Sequence, residues 1–102
     1  MIIESMIRER NYCSMVAYTP KHVYNAWMRG NTLHLYILSS DTITDVAGYL
    51  TARIENGEIQ LVIDDVAMTL YSHDELIVAI YHAFPDDWNN VITILETLLY
   101  VE

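Results

Sequence analysis

The chain has 102 residues, of which 53% are hydrophobic and 19% are charged, and its net charge is -9. This length fits one domain, residues 1–102, whose core is large enough to fold without disulfides. The strong negative charge disfavours direct binding to the nucleic-acid backbone or to anionic lipid.

The charges divide sharply along the chain. All five basic residues lie within residues 1–53, together with four of the acidic ones, whereas residues 54–102 carry ten carboxylates and no Lys or Arg. The mean hydropathy of +0.18 is high for so small a chain. We therefore expect apolar surface that a second copy or another protein covers, and a partner whose charge complements the acidic half.

Cys13 is the single cysteine, so an intrachain disulfide is excluded and a reducing, intracellular compartment is expected. The first ten residues lack the cationic segment and apolar run of a secretory signal peptide. The longest apolar runs, residues 76–80 and 98–101, are too short to span a bilayer.

Residues 19–30 allow two interpretations. Thr19 followed by Pro20, with Gly30 ten residues later, is typical of a helix that has an N-cap, a proline at its first position and a glycine past its end. The alternative is a hairpin that turns at Gly30 and Asn31. It predicts two apolar pairs: Met28 with Leu33, and Ala26 with Leu35. Short apolar runs do not separate the two by periodicity, so both stay open.

Asn56-Gly57 lies between two alternating runs, which is the strongest short-range signal for a β-hairpin. The turn predicts these pairs: Glu55 with Glu58, Ile54 with Ile59, Ala52 with Leu61, and Leu50 with Ile63. A second turn at Asp64-Asp65 predicts three more: Ile63 with Val66, Leu61 with Met68, and Ile59 with Leu70. Both turns place apolar residues on one face, which indicates a three-stranded meander.

A shift of 26 residues superimposes the pattern of residues 33–37 on that of residues 59–63. This match is consistent with a duplicated hairpin unit. It is also what any two amphipathic strands would show, since strand patterning is generic.

The last third of the chain predicts two helices. Ser72 and Glu75 form a capping box, in which the Ser72 hydroxyl accepts from the Glu75 N–H and the Glu75 carboxylate accepts from the Ser72 N–H. This helix covers residues 73–84 and ends before Pro85. A second helix begins at Asp86 and Asp87. Its apolar stripe comprises Trp88, Val91, Ile92, Leu95, Leu98 and Leu99.

These elements predict an α+β fold in one domain: an antiparallel β-meander of three to five strands packed by two C-terminal helices. One face of the sheet is aliphatic and must be buried. The other is semi-polar and rich in tyrosine, with Tyr36, Tyr49 and Tyr71, joined by Trp27 if residues 23–28 form a strand. Such rings anchor binding surfaces. The alternative is that the N-terminal segment covers this face.

No arrangement of residues predicts catalysis. The histidines at positions 22, 34, 73 and 82 lack metal-ligand spacing, and the chain contains no CxxC pair, GxSxG sequence or glycine-rich phosphate loop. Adjacent carboxylates in turns are solvated and point apart, so they are poor acid–base pairs. We expect no enzyme activity, no metal and no cofactor.

The leading hypothesis is a non-enzymatic protein–protein interaction module, which binds a partner with a basic or aromatic-accepting surface, or a second copy as a homodimer. Its predicted contact residues are four aromatic residues and six carboxylates. They are Trp27, Tyr36, Tyr49 and Tyr71, with Glu55, Glu58, Asp64, Asp65, Asp86 and Asp87. Direct binding to nucleic acid or membrane is not expected.

Two alternatives stand beside it. A small acidic meander followed by two helices resembles, in plan and composition, some anti-CRISPR inhibitors of phages. That resemblance implies an inhibitor that mimics phosphate charge at the nucleic-acid site of a host or defence protein, and it implies no particular residue. The other alternative, a self-assembling structural subunit, follows from the positive mean hydropathy.

Overall fold

A computed structural model of the chain describes residues 1–10, 12–41 and 45–100. Over these residues the chain forms an antiparallel sheet of seven strands, followed by two helices. The elements are β1 (Ile2–Glu9), β2 (Tyr12–Tyr18), β3 (His22–Arg29), β4 (Thr32–Ser39), β5 (Val46–Glu55), β6 (Glu58–Ile63), β7 (Val66–Leu70), α1 (His73–Ala83) and α2 (Trp88–Leu98). The strands pair in chain order, so β1 and β7 are the two edges.

The predicted α+β meander with two C-terminal helices is therefore confirmed. The strand number exceeds the predicted three to five, because residues 2–29 also enter the sheet. In residues 19–30 the hairpin interpretation is correct and the helix is wrong: Met28 pairs with Leu33 and Ala26 with Leu35, and Gly30 turns the chain with φ of 64°. Pro20 precedes a strand here. Pairing on both sides of β3 outweighs the local helix signal.

Both predicted turns have the predicted register. Asn56-Gly57 pairs Glu55 with Glu58, and Asp64-Asp65 pairs Ile63 with Val66, each with the inner pairs expected from the sequence. Asn56 and Gly57 have φ of 53° and 79°, and Asp64 and Asp65 have φ of 47° and 72°. Positive φ at both central residues matches the right-handed twist of the strands, which is why a hairpin of two residues accepts this conformation even at Asp-Asp.

The first helix begins as predicted, with one difference in its capping box. The Glu75 N–H donates to the Ser72 hydroxyl at 3.1 Å, whereas the Glu75 carboxylate accepts from the Tyr71 N–H at 2.5 Å and not from that of Ser72. Helix α1 ends at Ala83, before Pro85. Helix α2 has Asp87 at its N-cap, but the Asp87 side chain makes no capping hydrogen bond there.

Both helices cover one face of the sheet, which we call the covered face. It is aliphatic apart from Tyr24, and its central residues Leu35, Leu50 and Leu61 are fully buried. Four of the six residues in the predicted α2 stripe are buried, and the other two pack against the core. None of the helices within the described residues is long and apolar enough to cross a membrane.

Candidate interaction surface

The opposite side of the sheet, which we call the open face, carries the side chains that alternate with the buried ones. At its centre lie four rings, here named the aromatic cluster: Trp27, His34, Tyr36 and Tyr49. Strand pairing sets Trp27 beside His34 and Tyr36 beside Tyr49. The cluster therefore spans β3, β4 and β5 near the middle of the sheet.

The rings of the cluster stack on one another. The Tyr36 and Tyr49 centroids are 4.5 Å apart with planes at 27°, and those of Trp27 and His34 are 5.3 Å apart with planes at 8°. Rings lying flat side by side would clash at these distances, so they stand face to face and turn their edges to solvent. The His34 Nδ1 and the Tyr49 hydroxyl, 3.1 Å apart, add polar groups to this surface.

No described segment of the chain covers the aromatic cluster. The prediction that the N-terminal segment lies over this face is wrong, because that segment forms β1 and β2 and extends the sheet sideways. Its Met15 and Ala17 are buried on the covered face instead. The cluster residues are half-buried, and what covers them is mainly their neighbours on the same face.

The cluster joins an acidic region at Tyr49. The Asp64 N–H donates to the Tyr49 carbonyl at 3.1 Å, and the Tyr49 N–H donates to an Asp64 carboxylate oxygen at 3.3 Å. Burial raises the pKa of Tyr49, with smaller contributions from the charges of Tyr36 and Asp65. A carboxylate turn and a stacked ring are thus parts of one continuous surface.

Five exposed aspartates lie at this end of the sheet, which we call the acidic end. Because turns of a meander alternate between its two ends, the β2–β3 and β6–β7 connections lie beside the end of β4 and the start of β5. The α1–α2 connection reaches the same end through a contact of Asp86 with Lys21, whose Nζ lies 3.6 Å from the carboxylate. The five residues are Asp41, Asp45, Asp64, Asp65 and Asp86.

The six predicted carboxylates are not one group. Glu55 and Glu58 lie at the opposite end of the sheet, about 20 Å away given the length of β6. There, the Arg53 guanidinium lies 2.9 Å from a Glu55 carboxylate oxygen, and Gln60 donates to Glu58 at 3.2 Å. Two of the six predicted carboxylates are thus separated from the rest, because consecutive turns point in opposite directions.

Asp87 serves the fold instead of a free surface. Its carboxylate accepts a hydrogen bond from the Tyr24 hydroxyl at 2.5 Å and lies 2.8 Å from the His22 Nδ1, while Asn90 donates to the same hydroxyl at 3.2 Å. Burial, and then the hydrogen bond to Asp87, raises the pKa of Tyr24 to about 12. This network fixes the start of α2 against β3.

Tyr71 is also separate from the aromatic cluster. It follows β7 and lines a groove between that strand and α1.

Conversely, the sequence places His34 on the semi-polar face but does not mark it as a contact residue. Asp41 and Asp45 were missed entirely, because they lie in the basic half and only the turn alternation brings them to the acidic end.

The described residues contain no group of His, Cys, Asp and Glu side chains arranged to hold a metal ion. No protein-family model matches the chain, and no curated protein or solved structure matches it significantly. Function is therefore inferred from the open face and the acidic end.

Proposed function

We propose that this chain is a protein–protein interaction module that binds a basic partner through the aromatic cluster and the acidic end. The observation that supports this most directly is the junction at Tyr49 and Asp64, where the backbone of a residue whose ring belongs to the uncovered stack makes two hydrogen bonds with a turn of the acidic end. An aromatic centre with a charged border is the usual anatomy of an interface of this kind.

The size of the open face fits one partner. Seven strands at a spacing of roughly 4.8 Å and a length of roughly 20 Å give a surface of about 600 Å² before side-chain relief is counted. A standard interface buries about 800 Å² on each partner. The open face, extended by the acidic end, reaches that range.

The partner is a protein and not a nucleic acid. Platforms that bind bases offer free ring faces for stacking and a basic path for phosphates. Here Tyr36 and Tyr49 turn their faces to each other, and the adjoining end is acidic. Ring edges and hydroxyls instead suit apolar side chains and backbone groups, while the aspartates suit Lys and Arg.

A pull-down from the native host, at low and at high salt, tests the proposal with matched variants. We expect Trp27→Ala and Tyr36→Ala to lose the partner, because each removes a ring from the centre of the interface. Tyr71→Ala is the matched control, since this tyrosine lies in the groove outside the cluster. Asp64→Lys with Asp65→Lys should slow association, whereas Glu58→Lys at the opposite end should not.

Retention of the partner by both ring variants, or no partner at either salt concentration, would contradict the proposal. Every variant should be checked for wild-type circular dichroism, so that loss of binding is not loss of fold.

The five aspartates at the acidic end also support the narrower hypothesis of charge mimicry. A partner that binds nucleic acid would then release it when this chain binds, and the competition would weaken steeply with salt. Filter binding of the partner's nucleic acid in the presence of this chain measures this. A ternary complex would exclude mimicry while leaving the interaction module intact.

A further inference from the structure

A groove runs along the β7 edge of the sheet, on the side that carries the helices. Two adjoining cavities of about 450 and 520 Å³ form it, and both are lined by Ala79 of α1. Its apolar walls come from alternate residues of β7 and from α1, namely Val66, Met68, Leu70 and Val78. Val66 and Val78 are 60% and 55% exposed, so the groove is apolar and accessible.

The strand beside this groove has a free edge. Strand β7 pairs only with β6 within the described residues, so its outward N–H and C=O groups face solvent. Carboxylates border the groove, with Asp64 at one end and Asp74 and Glu75 at the other. No Lys or Arg occurs anywhere in residues 54–102, so no basic side chain of this half neutralises them.

The opposite edge of the sheet has the complementary properties. All eight residues of β1 are exposed, and they include Ile2, Ile3, Met6 and Ile7. A long, exposed, apolar edge strand is a ready template for pairing with another chain. The strand contains Glu4, Arg8 and Glu9, and these charges are not all on the same face. Arg8 pairs with Cys13, which packs against the core, and its guanidinium donates to the Thr97 carbonyl of α2 at 2.9 Å, so Arg8 lies on the helix side. Glu9 alternates with it and points to the other face, so the helix side of this end of β1 carries basic charge.

The directions of the two edges match. In an alternating meander β1 and β7 run the same way, so a second copy placed beside the first, with its helices on the same side, presents β1 parallel to β7. Met6 and Ile3 pair with Met15 and Ala17, which are buried on the covered face, so both point to the helix side and towards the groove. Arg8 then lies at the end where α1 carries Asp74 and Glu75.

We propose that copies of this chain associate edge to edge, with β1 of one copy added beside β7 of the next and Met6 seated in the groove between β7 and α1. Such a contact is heterologous, so each association leaves one free β1 and one free groove, and growth continues into a ring or a filament. The aromatic cluster lies on the open face, away from both edges, and Asp64 borders both the groove and the acidic end. This inference rests on the edges and the groove and does not depend on the proposed function.

Sedimentation velocity of the full chain over a concentration series tests the association. We expect the wild-type chain to form species larger than a dimer as concentration rises, and to dissociate in high salt because the contact pairs Arg8 with acidic residues. A monomer at every concentration and salt would overturn the proposal.

Two variants, one that blocks β1 and one that blocks the groove, show whether these two surfaces form the contact. Met6→Glu places a carboxylate among those of the groove, and Val78→Lys places a cation where Arg8 and its strand arrive. Each should weaken self-association at least about tenfold. The matched controls are Ile7→Glu, on the other face of β1, and Tyr81→Lys, which is 51% exposed on α1 but does not line the groove. Both controls should still associate.

Mixing the blocked variants separates this geometry from all symmetric ones. Met6→Glu keeps an intact groove and Val78→Lys keeps an intact β1, so together they should form a 1:1 dimer that does not grow, although each alone is monomeric. A β1–β1 pair predicts the opposite, since Val78→Lys would still associate by itself. That result, or a mixture that stays monomeric, would overturn the proposal. Ile3→Glu replaces Met6→Glu if the latter does not fold.

Discussion

The two faces of the sheet are built from the same strands but hold their side chains differently. Leu35 and Tyr36 are neighbours on β4, yet Leu35 is fully buried under the helices while Tyr36 is half-buried against other rings. The covered face is fixed by burial, which is not directional and scales with area. The open face is held by ring stacking and by exposed or half-buried side-chain hydrogen bonds, so it can exchange its solvent contacts for those of a partner with little effect on the fold.

The largest expected effect lies on the covered face. Leu35→Ala should lower the free energy of unfolding by about 2–5 kcal/mol, because it leaves a cavity among residues that cannot fully collapse. Urea unfolding followed by circular dichroism measures this. A loss below about 1 kcal/mol would mean that the two faces are less different than the burial indicates.

The adjacent residues Asp86 and Asp87, between α1 and α2, allow an exposed side chain to be compared with a largely buried one. The Asp87 side chain is 13% exposed and that of Asp86 is 79% exposed. Asp87→Asn should cost about 1–3 kcal/mol, since it weakens the hydrogen bonds to Tyr24 and His22. Asp86→Asn should change stability by less than about 0.5 kcal/mol, because its ion pair with Lys21 is exposed. Equal effects in urea unfolding would refute the structural role of Asp87.

Gly48 tests how closely the covered face is packed. A Cβ at this position would lie 2.5 Å from a ring atom of Phe84, so Gly48→Ala should cost about 1–3 kcal/mol through overpacking. Phe84→Leu replaces the aromatic ring that causes the clash with a smaller side chain. In a double-mutant cycle, Gly48→Ala should therefore be less damaging in the Phe84→Leu background. Additive losses would show that the ring is not the cause.

The raised pKa of Tyr24 predicts a dependence on alkaline pH. The unfolded chain ionises this tyrosine near pH 10 and the folded chain near 12, so the unfolded state loses the proton first. The contribution of the Tyr24 hydroxyl to the free energy of unfolding is complete below pH 10 and is lost as pH rises towards 12. The stability difference between the wild-type chain and Tyr24→Phe should shrink over this range. A constant difference would place the hydroxyl outside the buried network.

The smallest expected effect lies on the open face. Tyr36→Ala should cost only about 1 kcal/mol, because it removes stacking with Tyr49 and Trp27 but opens no cavity. Thermal unfolding of Tyr36→Ala and of Leu35→Ala, each compared with the wild-type chain, gives the ratio of the two losses in stability. A loss as large as that of Leu35→Ala would mean that the aromatic cluster is a second core and not a contact surface.

Local sequence was sufficient for the hairpins and helices of residues 46–100. Asn56-Gly57 and Asp64-Asp65 set their registers through turn chemistry, and Ser72 with Pro85 bounded the first helix. It was insufficient for residues 19–30, where Thr19, Pro20 and Gly30 carry a helix signal. There the choice depended on β2 and β4, which are available only after the sheet has formed.

The candidate site was predicted less completely. The sequence identified Trp27, Tyr36 and Tyr49 because alternation assigns them to one face, provided that residue 27 lies in a strand. It could not separate Asp87 from Asp86, since adjacent carboxylates look alike until one of them meets Tyr24. Nor could it divide Glu55 and Glu58 from Asp64 and Asp65, which consecutive turns carry to opposite ends.

By itself the sequence determined the alternation of each strand, the turns between strands and the segregation of charge along the chain, because these depend on neighbours within a few residues. Only the tertiary structure decided that the N-terminal strands widen the sheet, that one face stays open, and that acidic residues from both halves meet at one end. These outcomes depend on pairing between distant segments, and the free energy of that pairing comes from burial that no local pattern records.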